Sequence, residues 1–205
     1  MAIVPLGHLI DQFGDLGRVV QAAAQRASRR IEQHATAGMK SHFDTATAPD
    51  GTPWPRLRFP RPAGGDKPLR DRGLLMASAH SKLEWPYLYL RANSPGARLH
   101  NWGGVVQAQP GKALAIPITR EASRLPGPRA FPRPLFMIWR QGAQGGVLAE
   151  RVGRGRNQQI KVHYVLKRRV EIPKREFLGV SEKTATRIAD EVWGEAVRMV
   201  AGSGG

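Results

Sequence analysis

The period of the apolar residues changes twice along this chain, and that double change limits the folds open to it. From Leu9 to about Phe43, apolar residues recur at spacings of three and four: Leu16, Val19, Val20, Ala23, Ala27, Ile31, Ala35 and Met39. Arg18, Gln21, Gln25, Arg29 and Gln33 occupy the other side. The spacing predicts one long amphipathic helix over 9–47. Pro49-Asp50-Gly51 is a turn signal, and Pro53 and Pro55 cannot continue a helix. From residue 79 the period falls to two. Ser81, Leu83 and Trp85 alternate with His80, Lys82 and Glu84, and Tyr87–Leu90 reads as a second strand. Leu99–Val106 contains His-Asn-Trp-Gly-Gly, and further strands are expected at Leu114–Ile118 and at Leu135–Trp139. Ile160, Val162, Tyr164 and Leu166 alternate with polar residues, and Val170 and Ile172 keep the phase. The helical period returns over 181–200 behind Ser181, a good N-cap. There Ile188, Ala189, Val192, Trp193, Ala196, Val197 and Val200 form one broad stripe, and 201–205 reads as a frayed tail.

The expected fold class is α+β: a long N-terminal helix, an antiparallel β-sheet of five to six strands, and a C-terminal helix packed on the sheet. A chain of 205 residues suits a single domain, 1–205. The sheet spans 79–173 and carries a basic loop insertion at about 120–158.

Charge narrows the partners. The net charge is +16, from 32 Lys and Arg against 16 acids. Residues 120–175 hold 14 Lys or Arg and three acids, a net +11, in about a quarter of the chain. Arg151, Arg154, Arg156, Lys167, Arg168 and Arg169 suit one of two roles. They follow a DNA backbone without reading sequence, or they form a solvated loop or a surface that meets an acidic neighbouring subunit. No aromatic residue interleaves them in sequence as a stacking platform would require, which favours the protein partner.

Chemistry has little support. There is no cysteine, which excludes disulfides and thiolate chemistry. The histidines at 8, 34, 42, 80, 100 and 163 lack the His-Glu-x-x-His spacing of a zinc protease. No serine stands in Gly-x-Ser-x-Gly, and Gly142–Gly146 lacks the Gly-Lys-Ser/Thr ending of a phosphate loop. The expectation is no catalytic activity, no metal and no cofactor. No apolar run approaches the roughly 18 residues that span a bilayer. The start lacks the basic n-region of a signal peptide. No membrane contact is expected, and synthesis is expected in the host cytoplasm.

Four stretches in one order resemble the virion morphogenesis, or tail completion, proteins of Mu-like phages. The first is Asp50-Gly51-Thr52-Pro53-Trp54-Pro55-Arg56-Leu57, behind the long helix. The second is Leu69-Arg70-Asp71-Arg72-Gly73-Leu74-Leu75-Met76-Ala77-Ser78, with Arg72 where the family has threonine. The third is Ala97-Arg98-Leu99-His100-Asn101-Trp102-Gly103-Gly104, without the family's tyrosine. The fourth is Ile172-Pro173-Lys174-Arg175-Glu176-Phe177-Leu178-Gly179-Val180-Ser181. Asp50, Gly51, Trp54, Gly73, Leu75, His100, Gly103, Gly104, Pro173, Phe177 and Leu178 are the motif positions expected to fix fold and assembly. The resemblance implies a head–tail neck subunit in the virion. It joins others of its kind in a ring, with six copies expected. The implied partners are tail tube or tail terminator proteins and head-side connector proteins, with non-specific contact to packaged DNA as the competing role. The Pro- and Arg-rich loops at 56–70 and 120–134 are the expected contacts between subunits.

Overall fold

The long helix expected over 9–47 is divided. A computed structural model of the chain describes residues 15–59, 65–139 and 145–202. Leu9–Gly14 of the expected helix lie outside the described residues. Helix α1 (Asp15–Arg26) is followed by α2 (Ser28–Thr45). Ala27 between them keeps helical dihedrals. The bonds Ala27 N to Ala23 O, 2.8 Å, and Ile31 N to Ala27 O, 3.0 Å, cross the junction. The two helices therefore run on nearly one axis. No Gly or Pro stands at 26–28, so nothing in the sequence marks the division. Helix α2 stops where Ala46 takes a left-handed conformation, φ 55°.

The short helix α3 (Leu74–Ser78) leads into a hairpin of β1 (Ala79–Glu84) and β2 (Tyr87–Ala92). Helix α2 covers the outer edge of β1 with polar groups. Thr36 Oγ1 accepts from Ser81 N at 3.1 Å, and Glu32 Oε1 accepts from Leu83 N at 2.8 Å. The stretch around His100-Asn101-Trp102-Gly103-Gly104 divides into helix α4 (Ala97–Trp102) and strand β3 (Gly104–Gln107). Gly96, at φ 79°, opens α4 in a conformation open to glycine.

In place of one sheet of five to six strands, the described residues form three smaller sheets. The remaining strands are β4 (Leu114–Pro117), β5 (Phe136–Trp139), β6 (Gly145–Val152), β7 (Gln159–Lys167) and β8 (Arg169–Ile172), with helix α5 (Arg120–Ser123) after β4. The sheets are β1–β2, β3–β8 and β4–β7–β6–β5, with every pairing antiparallel. The physical reason is a turn at Gln109–Ala113. It interrupts what would be one ribbon, because β3 pairs with β8 and β4 with β7 on either side of it. Lys112 N to Gln109 O, 2.9 Å, closes that turn. The stretch 120–158 is no plain loop either, since β5 and β6 lie in it and fill half of the largest sheet.

Helix α6 (Glu182–Gly202) forms where expected, and Ser181 Oγ accepts from Thr184 N at 3.4 Å. It packs on α1 and α2, however, and not on a sheet. Ile188 and Val192 meet Ala24, Ala27 and Ile31. Arg30 donates to Glu191 at 2.7 Å and to Glu195 at 2.8 Å across the same seam. Only half of the predicted stripe is used. Trp193, 65% exposed, and Val197, 50% exposed, remain on the outer side.

Candidate functional site

The first, third and fourth motif stretches meet at one buried point, and the second packs beside it. Asp50 Oδ1 accepts from Thr52 N at 2.9 Å, which shapes the exposed turn after α2. That turn directs Trp54 inward, edge-on to Phe43 with ring centroids 5.7 Å apart. Phe43 in turn lies 5.1 Å from Phe177. Trp54 Nε1 donates to Glu176 O at 3.0 Å, so the first stretch holds the fourth. Asn101, fully buried on α4, joins the third to the fourth. Its Oδ1 accepts from Phe177 N at 2.9 Å and from Leu178 N at 2.8 Å. Arg175 donates from Nε and Nη2 to Pro55 O at 3.2 and 3.0 Å, and its N–H donates to His100 O at 2.9 Å. Leu75 and Leu178 belong to the same apolar cluster, with Leu75 partly buried.

The other expected motif residues have plainer roles. Gly73, at φ 74°, precedes α3, and Gly51, at φ 86°, sits in the exposed turn. Gly104 opens β3, and Pro173 follows the last residue of β8. Gly103 is where the main chain of the fourth stretch comes closest: a Cβ there would stand 2.9 Å from Lys174 N. Sequence reasoning passed over Asn101 and Arg175. The signal was a polar pair standing beside His100 and Phe177 inside otherwise apolar or Gly-rich motifs.

His42 lies in the same region, buried on α2, with no hydrogen-bond partner at Nε2. Burial pushes its imidazole below the ordinary value, against the pull of a hydrogen bond to the Gly179 main chain and the charge of Glu176. The unfolded chain therefore takes up a proton that the folded chain resists. Stability is complete above the unfolded histidine value of about 6.5, and it falls as pH drops below that value. The slope reaches at most about 1.4 kcal/mol per pH unit. Denaturant unfolding between pH 7 and 5 is expected to show this slope. His42→Gln should flatten it, and an unchanged slope would assign the effect to another group.

The basic residues do not form one patch. Arg151 pairs in register with Ile160 at the closed end of the β6–β7 hairpin, near Arg154. Arg156 is in the same turn, although its side chain lies outside the described part. Lys167, Arg168 and Arg169 stand at the opposite end of β7, whose nine residues put the clusters roughly 26 Å apart. Both clusters are exposed. The structure also places an aromatic ring where sequence spacing showed none, since Arg151 Cζ lies 5.2 Å from the Phe136 ring centroid.

A second polar cluster, which sequence reasoning missed, lies inside the four-stranded sheet. The register of β6 on β7 shifts between Leu148 and Ala149. This bulge turns His163 inward, fully buried, where strict alternation puts it outside. Thr119 Oγ1 is 3.0 Å from His163 Nδ1, and Glu150 Oε2 is 3.5 Å from Nε2, an ion-pair distance without hydrogen-bond geometry. Arg133 donates to Glu150 at 2.5 Å and to Glu121 at 2.6 Å. Its guanidinium holds the Glu150 carboxyl below the usual carboxylate range. The order hydroxyl, imidazole, carboxylate resembles a nucleophile–base pair, but Thr119 Oγ1 already accepts from Ala122 N to cap α5, at 3.3 Å. The imidazole offers no exposed face to a substrate. What the cluster does is tie α5, β6 and β7 together.

Comparison with protein families, with characterised proteins and with solved structures finds no match. Among the described residues no group of His, Asp or Glu is placed to hold a metal ion. No described helix is long and apolar enough to cross a membrane.

Proposed function

We propose that the protein is a structural subunit of the phage head–tail neck, a tail completion or head–tail joining protein that acts through protein–protein contacts. The observation that carries this reading is the convergence of three of the four family-like stretches on one packed node, with the second packed against it. Trp54, Phe177 and Leu178 are there as packing, and Asn101 and Arg175 as main-chain clamps. Stretches that resemble those of an assembly family thus do the work of holding a shape. Exposed apolar side chains on separate elements support the same reading. Trp102 is 46% exposed on α4, Met137 61% on β5 and Trp193 65% on α6. A closed ring needs such unlike surfaces, because its contacts are heterologous. Six copies, flanked by tail tube or tail terminator proteins and by head-side connector proteins, are the assembly this reading expects.

The second reading, a basic accessory protein that binds nucleic acid without sequence preference, rests on the two exposed arginine clusters. One experiment separates the two. The first reading expects the protein at fixed stoichiometry in purified virions, located in the neck by reconstruction. It also expects Lys167→Gln/Arg168→Gln/Arg169→Gln to leave DNA affinity unchanged while yielding unjoined tails. Absence from virions would remove the first reading. A fall of about three units in the slope of log K against log salt would establish the second.

A further inference from the structure

Two strand edges open on one cleft. Ser81 N points away from β2, since it donates to Thr36 on α2. In an antiparallel pair the residue opposite then also turns its N–H and C=O outward. That residue is Leu90, and Ala92 two positions on does the same. Across the cleft, Ala108 N donates to Arg168 O at 2.8 Å, which continues the β3–β8 ladder. By the same alternation Val105 aims its main chain away from β8. Leu90, Ala92 and Val105 line a cleft of about 950 Å³ together with Leu99, Trp102 and Leu178. Among the described residues β2 pairs with β1 alone and β3 with β8 alone. An open edge beside an apolar floor is a template for one more strand. Charge narrows which strand fits. Arg91 and Arg98 also line the cleft, both exposed, and no described Asp or Glu does. Among the described residues neither arginine stands in an ion pair, whereas Lys174, beside Trp102, is already held by Glu176 at 2.6 Å.

We infer that this cleft takes an extended acidic segment of a partner protein, added as a strand along the outer edge of β2, in which apolar residues alternate with Asp or Glu. The inference does not depend on the ring reading above. The alternation follows from the two faces of β2. Leu90 turns into the core, 5% exposed, and packs in one cluster with Leu178. Arg91 turns to the other face, where its guanidinium lies 5.1 Å from the Tyr89 ring centroid. Cross-strand neighbours share a face. Residues set opposite Leu90 and Ala92 therefore meet the apolar floor, and the residue between them stands beside Arg91. Charge also separates the classes of partner. The chain carries 32 Lys and Arg against 16 acids, so a second copy brings more of the same sign to a mouth that is already basic. An acidic segment is drawn there and oriented as it arrives. A nucleic-acid strand supplies the charge, but it lacks the peptide N–H and C=O groups that the edge at Leu90 and Ala92 is set to meet.

The test uses the full-length protein and a short, end-capped, fluorescein-labelled peptide in which Val alternates with Glu. Fluorescence anisotropy is read at about 0.15 M salt, which screens exposed charges beyond roughly 8 Å. The expected result is saturable binding. It should weaken at least about tenfold when Lys replaces Glu, when the peptide amides are N-methylated and so lose their N–H donors, and when Leu99→Arg puts a charge in the floor. Arg91→Glu/Arg98→Glu, on exposed side chains, should invert the preference and make the Lys peptide the better ligand. The same reversal at Arg151→Glu/Arg154→Glu, near the far end of β7, should change affinity by less than about twofold. Thermal melts establish that each variant folds. Absence of saturable binding up to on the order of 1 mM would overturn the inference. Equal losses at the two arginine pairs would reduce it to attraction by net charge, and undiminished binding of the N-methylated peptide would remove the added strand; either result sinks it. Self-association that Leu99→Arg dissolves would seat a second copy in the cleft instead. Single-stranded DNA that binds through Arg91 and Arg98 where the peptide does not would make it a nucleic-acid site, and both outcomes overturn the inference.

Discussion

Asn101→Ala is expected to lower the free energy of unfolding by about 2–6 kcal/mol, read as a shift in the denaturant midpoint at constant m. The change removes the one acceptor shared by Phe177 N and Leu178 N, at 2.9 and 2.8 Å. Both donors sit against fully buried surface, so each loses its partner without gaining water, at about 1–3 kcal/mol apiece. The small cavity left by the amide adds to that. The loss should not be confined to the node. Asn101 fixes where the chain turns from β8 toward α6, and α6 in turn packs on α1 and α2. A loss under about 1 kcal/mol would mean that Phe177 and Leu178 find other acceptors, and that Asn101 is no clamp. Asn101→Asp offers a control with nearly the same shape. It keeps an acceptor for both N–H groups but adds a charge, and its cost should grow as pH rises and that charge forms in a buried place.

The helical half of the fold was legible because its cause is local. Apolar spacing at three and four marks α2 and α6 in any context, and Ser181 marks where α6 starts. Which surface each helix covers was not legible. The stripe on α6 reads as one broad face, yet Thr184, Ile188, Val192 and Ala196 turn toward the helices while Trp193 and Val197 face out. That division depends on where α1 and α2 lie. The sheet failed for a related reason. Alternation announces strands but says nothing of partners, and the turn at Gln109–Ala113 that separates β3–β8 from β4–β7 is a local insertion with no periodic signature. At His163 the alternation itself misleads, because a bulge shifts the phase by one residue. As for the candidate site, the motif residues were found, but their meeting was not. Asn101 and Phe177 are 76 positions apart, and no spacing rule joins them.

Gly103 and Gly51 stand in two of the motif stretches, and sequence gives them equal weight as turn formers; the structure separates them. Gly51→Ala should lower stability by only about 1–2 kcal/mol. Its φ of +86° is costly for an L side chain, but nothing lies within 4 Å of where a Cβ would go. Gly103→Ala meets two obstacles. Its φ of 69° with ψ of −176° belongs to a region that is nearly exclusive to glycine, at about 1–3 kcal/mol for any other residue. Its Cβ would also stand 2.9 Å from Lys174 N and 3.0 Å from Ile172 O. Both are main-chain atoms and cannot swing aside as a side-chain tip would. Relief must come from moving the fourth stretch away from the third, which lengthens the bond from Arg175 N to His100 O and the pair held by Asn101. The combined loss is expected to exceed about 3 kcal/mol, at the upper end of what one residue does to a folded domain. Thermal melts of the two alanine variants side by side test this. A larger loss at Gly51 than at Gly103 would show that the close approach of the third and fourth stretches does not govern stability. Equal small losses would mean that the chain relaxes at Gly103 without disturbing Asn101.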